Sequence, residues 1–297
     1  MTTMANPPFG RLLTAMVTPF AADGSVDLST ASDLARHLVD DLGHDGLVLN
    51  GTTGEAPTTS DGEKADLVHA VVESVGDRAA VLAGVGTFNT EHTLELAADA
   101  AKLGVDGLLV VTPYYSKPPQ AGLLEHFRRV ADATEVPLML YDIPGRAGTA
   151  ISSDTLLRLA EHPRIVAVKD AKGDLTASAQ VMARCDLAYY SGDDAMTLPL
   201  LSVGGVGVVG TSTHFSGRGM KAMIEAYLSG DVAESIRRHR ELLPIFTGIF
   251  ATQGCILVKA GLALQGRPVG GVRSPLVAAT SSEIEALGVA LAAAGLG

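Results

Sequence analysis

Eight short apolar runs recur along the chain, each closing on a polar or glycine cluster and leading into a stretch of helical length. They occupy residues 12–18, 46–50, 80–86, 107–113, 137–142, 165–170, 187–192 and 206–212. Their Val, Leu and Ile content lacks strict alternation, which is the habit of parallel strands buried on both faces. Residues 27–43, 60–76, 89–104 and 121–135 carry apolar positions at i, i+3 and i+4, with Asp, Ser or Asn near several starts. Gly43, Gly76 and Gly104 close three of these stretches and are expected C-caps. Eight such units predict a (β/α)8 barrel over residues 1–230, with a doubly wound open sheet as the competing topology. Residues 231–297 carry helical pattern and no strand signal, so they predict a C-terminal helical extension packed on the barrel, with no linker in between.

Composition narrows the chemistry. Of the 297 residues 47% are hydrophobic but only 4% aromatic, without Trp, so the core must be built from Ala, Val, Leu and Ile. A net charge of -11 argues against a nucleic-acid surface, and an anionic substrate would need a local site that works against the overall field. Cys185 and Cys255 have neither metal spacing nor the density of a secreted scaffold, which fits a reducing cytoplasm. The opening MTTMANPPFGRLL lacks the features of a leader, and the longest apolar stretch, Leu198 to Gly210, is too short and too glycine-rich to span a bilayer. A soluble cytoplasmic protein is the expectation.

Parallel barrels build their sites at the C-terminal ends of the strands. The residues there are Thr18, the stretch Asn50 to Glu55, Gly86, Thr112 with Tyr114 and Tyr115, Tyr141 with Arg146, Lys169, Gly192 and Val209 to Ser212. They offer tyrosines, hydroxyls, an arginine and a lysine. They do not offer the carboxylate pair that glycoside hydrolysis uses, nor a His/Asp/Glu cluster for a metal. The eight histidines are scattered, and His37 and His44, seven apart, are expected on a solvated face.

Lys169 interrupts the strand-like run Ile165–Val168. Facing apolar walls at a barrel mouth, its amine would lose solvation of the charged form and become the neutral nucleophile that forms Schiff bases with ketones. The competing reading is a strand-end lysine that snorkels to solvent or pairs with Asp170. Lys172 is the weaker candidate, since nothing around it suggests burial. In NGTTGEAP, Gly51 and Gly54 allow a tight turn whose N–H groups and threonine hydroxyls suit a small carboxylate. Tyr115 and Tyr141 could pass protons, and Arg146 could grip a second carboxylate. Gly205, Gly207 and Gly210 spell a dinucleotide fingerprint, but they lie inside an apolar run rather than after one, so it is rejected. SGDD, residues 191–194, reads as a turn and N-cap.

In order along the chain, GTTGE, TPYYSKP, YDIPGRAG, VAVKDAKGD, SGDD and the glycine-rich strand resemble the pyruvate-dependent class I aldolases, the family of the dihydrodipicolinate synthases and N-acetylneuraminate lyases. The register holds from Leu13 to about Pro275, and the paired threonines and the arginine look like the synthase branch. The resemblance implies a homotetramer of tight dimers that condenses pyruvate with aspartate 4-semialdehyde and needs neither metal nor other cofactor. It implies Lys169 as the Schiff-base lysine and Thr52, Tyr141 and Tyr115 as a proton relay, with Tyr115 reaching across the dimer interface. Thr53 would help hold the pyruvate carboxylate by its backbone, Gly192 and the Val209 carbonyl would line the same pocket, and Arg146 would bind the aldehyde's carboxylate.

Two departures stand out. Ala147 replaces a common threonine beside the arginine. Lysine-regulated members carry Asn, Glu and His where this chain carries Phe88, His92 and Lys64, which implies weak or absent inhibition by lysine. A sister aldolase acting on a 2-keto-3-deoxy sugar acid or N-acetylneuraminate, and a catalytically silent keto-acid-binding barrel, are the alternative readings.

Overall fold

A computed structural model describes residues 7–296, so Met1–Asn6 of the stretch searched for a leader lie outside the described residues. The barrel elements, in chain order, are β1 (Leu12–Ala15), α1 (Leu28–Arg36), β2 (Gly46–Leu49), α2 (Asp61–Val75), β3 (Ala80–Gly84), α3 (Thr90–Lys102), β4 (Gly107–Val111) and α4 (Gln120–Asp132). They continue with β5 (Leu138–Asp142), the short α5 (Pro144–Ala147), α6 (Ser153–Leu159), β6 (Ile165–Asp170), α7 (Leu175–Met182), β7 (Ala188–Ser191), α8 (Thr197–Ser202), β8 (Gly207–Gly210) and α9 (Thr213–Leu228). Every strand pairs in parallel with its sequence neighbour, and β8 returns to β1 through Leu13↔Val209, so the barrel is closed and the open sheet is excluded. Three helices follow: α10 (Val232–Gly248), α11 (Gly254–Leu264) and α12 (Ser281–Ala293).

The strands are shorter than the apolar runs, mostly at their C-terminal ends. Residues 16–18, 50, 85–86 and 211–212 continue the apolar or small-residue pattern but leave the ladder to form the βα turns. Most of these residues are as buried as the strands themselves, which is why hydropathy does not mark the boundary.

Two local expectations are corrected. Gly43 and Gly104 do end their helical stretches left-handed (φ +75° and +77°), and Gly76 is the C-cap of α2 but stays right-handed at φ -65°, without the left-handed turn expected of a glycine there. Residues His37–Asp41 form a π-helical turn after α1 that changes the phase of the chain. His37 pairs with Asp41, whereas His44 is buried rather than solvated, with Nδ1 on the Leu38 carbonyl at 2.7 Å. Burial draws its pKa down to about 3.

Alternation along each strand separates two apolar regions. Leu13, Val48, Leu82, Leu109, Met139, Ala167, Ala188 and Val209 fill the barrel, and Phe9 and Tyr190 close it below, the Tyr190 hydroxyl donating to the Gly10 carbonyl at 2.9 Å. Leu12, Leu47, Val81, Val110, Leu140, Val168, Tyr189 and Val208 face the helices, in a layer that runs on without a break through Leu242, Ile245, Leu257 and Leu291 of the last three helices. Among the described residues no helix is long and apolar enough to cross a membrane.

The glycines of the rejected fingerprint have packing roles. A Cβ on Gly207 would stand 2.1 Å from the Arg11 carbonyl oxygen, and one on Gly210 would stand 2.7 Å from an Asp194 carboxylate oxygen. Gly207→Ala should therefore cost about 1–3 kcal/mol through forced backbone shifts. Urea unfolding checks this, and an unchanged midpoint would contradict the close approach.

Candidate active site

Parity decides which strand-end side chains meet. On β6, Ala167 and Lys169 face the barrel interior while Val168 and Asp170 face out. On β5, Met139 and Tyr141 face in while Leu140 and Asp142 face out. Lys169 sits in register between Tyr141 of β5 and Tyr190 of β7. It is only 5% exposed, and its Nζ lies 4.2 Å from the centroid of the Tyr141 ring. Burial lowers the amine to about 8, opposed by the charge of Asp194 and slightly assisted by that of Arg146.

The competing reading of Lys169 as a snorkelling or Asp170-paired lysine does not hold. Asp170 accepts from the Lys172 N–H at 2.9 Å and from the Ser178 hydroxyl, on the other side of the sheet. Lys172 is more enclosed than expected, but it also belongs outside, 3.4 Å from an Asp142 carboxylate oxygen.

Tyr141, on which the lysine rests, also walls a cavity of about 490 Å³ whose lining includes Asn50, Gly51, Thr52, Glu55, Gly84, Gly86, Tyr114, Tyr115 and Arg146. Tyr141 is buried, which pushes its hydroxyl up to about 12; Arg146 and the Thr52 side chain oppose that shift. Its phenol is thus a proton donor at neutral pH. Among the described residues, the Thr52 and Thr53 N–H groups have no backbone acceptor, although Thr53 is buried. Arg146, on the exposed surface of α5, has no carboxylate partner among the described residues. Tyr115 stands at the rim, 93% exposed and at φ +73°, a backbone setting that non-glycine residues avoid.

Lys169, Thr53, Gly192 and Val209 are not among the residues that wall the open cavity; the lysine meets it through the ring of Tyr141. Gly192 instead lies against the lysine stem, where a Cβ would come within 3.2 Å of Lys169 Cγ. Val209 is fully buried in the barrel interior.

Sequence reasoning missed Asp194. It is fully buried, accepts from the Thr211 N–H at 3.0 Å and from the Ser212 N–H and hydroxyl at 3.1 and 2.7 Å, and so ties the end of β7 to the turn after β8. Its neighbour Asp193 is the cap that SGDD suggested, bonding the Ala195 N–H. Two consecutive acids where one suffices to cap were the available signal. The extension was also missed as part of the site: Gln253, Pro275 and Leu276 form one wall.

The positions that replace the lysine-regulatory groups form their own cluster. His92 and Lys64 both engage Asp61, at 2.8 and 3.3 Å, and Lys64 also donates to the Thr59 carbonyl at 2.6 Å. Phe88 stands edge-on to Tyr114 at 5.5 Å.

The dihydrodipicolinate synthetase family model matches residues 8–294. The chain belongs to that family. It is 65% identical over 99% of its length to the 4-hydroxy-tetrahydrodipicolinate synthase of Acidothermus cellulolyticus, 96% of which is covered. It is 59% identical, over 99% of this chain and 98% of the other, to 4-hydroxy-tetrahydrodipicolinate synthase 2 of Streptomyces coelicolor. The crystal structure of the Cyanidioschyzon merolae family member with lysine bound superposes with a TM-score of 0.96 at 44% identity, covering 98% of this chain and all of that one, 100%.

Because the carboxylate of Asp194 favours the charged form of Lys169, Asp194→Asn should lower the amine's pKa further. The acid limb of the pH profile for imine formation should then move to lower pH. A limb that stays in place or moves up would show that Asp194 acts only through its hydrogen bonds.

Proposed function

We propose that the protein condenses pyruvate with L-aspartate 4-semialdehyde to 4-hydroxy-tetrahydrodipicolinate through an imine on Lys169, the reaction of diaminopimelate and lysine biosynthesis. The observation that carries this reading is the unpaired, desolvated amine on the ring of Tyr141, a residue that also walls an open cavity with Thr52 and Arg146. Neutral Lys169 attacks C2 of pyruvate, and water leaves as the carbinolamine collapses to the iminium. Loss of a C3 proton gives the enamine, which attacks the aldehyde carbon. The amine of the second substrate then displaces Lys169 at C2, closing the ring and freeing the enzyme. Nucleophilic and general acid–base catalysis suffice for this sequence.

The residues around the lysine supply the remaining roles in this reading. The Thr52 and Thr53 N–H groups take the pyruvate carboxylate, with Gly192 and Val209 shaping the wall beside the lysine. Tyr141, protonated across the working range, donates to the departing hydroxyl and recovers the proton through Thr52. Arg146 grips the aldehyde's carboxylate by its two-pronged guanidinium. Tyr115, exposed in the single chain, completes the relay when a second subunit docks, in a homotetramer of tight dimers working in the cytoplasm.

Borohydride with pyruvate should reduce a single adduct onto Lys169, and Lys169→Ala should abolish it. Among competing aldehydes, aspartate semialdehyde should turn over fastest. Trapping without turnover would favour a silent keto-acid-binding barrel, and preference for a sugar aldehyde would favour a sister aldolase. Lysine should inhibit weakly or not at all, because an ammonium ligand would meet Lys64, His92 and Phe88, with Asp61 already engaged by the first two. Half-inhibition by micromolar lysine would overturn that expectation.

A further inference from the structure

The turn after β2 is held in a shape its residues do not favour alone. Asn50 and Glu55, at its two ends, have φ of +54° and +55°. Asn tolerates left-handed backbone through its short polar side chain, whereas Glu does not. The Glu55 N–H donates to the Thr52 carbonyl at 3.2 Å, so the setting of Glu55 bears directly on Thr52.

What holds Glu55 comes from the far end of the chain. Its carboxylate, with the side chain 0% exposed, meets Lys259 Nζ from α11 at 2.7 Å and accepts from the Arg273 N–H at 2.9 Å. Lys259 also donates to the Gly271 carbonyl at 2.6 Å and rests 4.1 Å from the Phe20 ring centroid. The Arg273 guanidinium lies 4.3 Å from the same ring and pairs with Glu63, in the first turn of α2, at 2.5 Å. A buried ion pair is a poor device for stability alone, since well-packed apolar residues often serve as well. Strained backbone near a reaction centre persists where the surroundings over-determine it.

We propose that the Glu55–Lys259 ion pair is a positioning device for pyruvate capture, holding Glu55 left-handed and thereby keeping the Thr52–Thr53 backbone set for the keto-acid carboxylate. This rests on the assignment of that turn to pyruvate in the proposed function. Glu55 lines the cavity, but its side chain is fully buried in the ion pair, and Lys259 does not line it.

The test compares wild type with Glu55→Gln/Lys259→Met, which leaves no lone buried charge, and with Glu55→Gly/Lys259→Met, in which glycine reaches the left-handed setting unaided. In the first variant the KM for pyruvate should rise about tenfold, which is about 1.4 kcal/mol, while that for aspartate semialdehyde stays within about twofold. Borohydride trapping should slow at low pyruvate and recover at saturation. The glycine variant should regain part of the pyruvate affinity despite its larger packing defect. A pyruvate KM that does not move in the first variant, or an equal rise for both substrates, overturns the proposal. So does a glycine variant no better than the glutamine one, or failure of both to fold. Absence of any adduct in wild type would instead refute the assignment of the site.

Discussion

An ammonium ion inside a wall of alkyl side chains loses most of its hydration, and a protein must either pair it or let it shed its proton. Among the described residues two lysines are buried, one with a carboxylate partner and one without. Burial lowers the pKa of Lys259 too, but Glu55 at 2.7 Å opposes that shift, and a carbonyl and an aromatic face complete its surroundings. Lys169 has the face of Tyr141 at 4.2 Å and the more remote field of Asp194, and burial brings it to about 8. The same side chain thus sits in an ion pair in one place and as a desolvated amine without a carboxylate partner in the other. Much of the surrounding architecture maintains that difference.

The difference depends on a closed barrel of short strands. Alternation sends Lys169 and Tyr141 inward and their neighbours Asp170 and Asp142 outward, so a carboxylate one residue away in sequence is screened from the amine by the sheet. A register slip by one residue would exchange these sets and leave the amine in an ion pair. Ring closure and the plug of Phe9 and Tyr190 make such a slip costly.

The fold was largely legible because eight unalternated runs with helices between them admit few other arrangements, and the resemblance supplied the in-register motifs. Lys169, Tyr141, Thr52 and Arg146 were legible as strand-end or loop residues of unusual chemistry for their position; the last three wall one cavity, and Lys169 rests on the ring of Tyr141. Asp194 was hidden because an acid that caps a helix and an acid that accepts from three groups across a turn look alike in one dimension. His44 was misread because the π-helical turn Leu38 and Asp41 belong to breaks the helical period on which an exposed face is inferred. The cavity wall at Gln253, Pro275 and Leu276 was invisible because nothing local in a helical extension says where it docks.

That docking gives the extension more than a covering role. Its helices share one apolar layer with the barrel, so they cannot separate from it without exposing Ile245, Leu257 and Leu291 to water. Gln253 reaches the cavity from the start of α11, where its side chain bonds the Cys255 N–H, and Lys259 lies on the same helix. One rigid helix therefore carries both a wall residue and the strut beneath the β2 turn. Displacing α11 would widen the cavity and release the turn together, so the precision of the substrate site is linked to the packing of the last seventy residues or so rather than to the barrel alone.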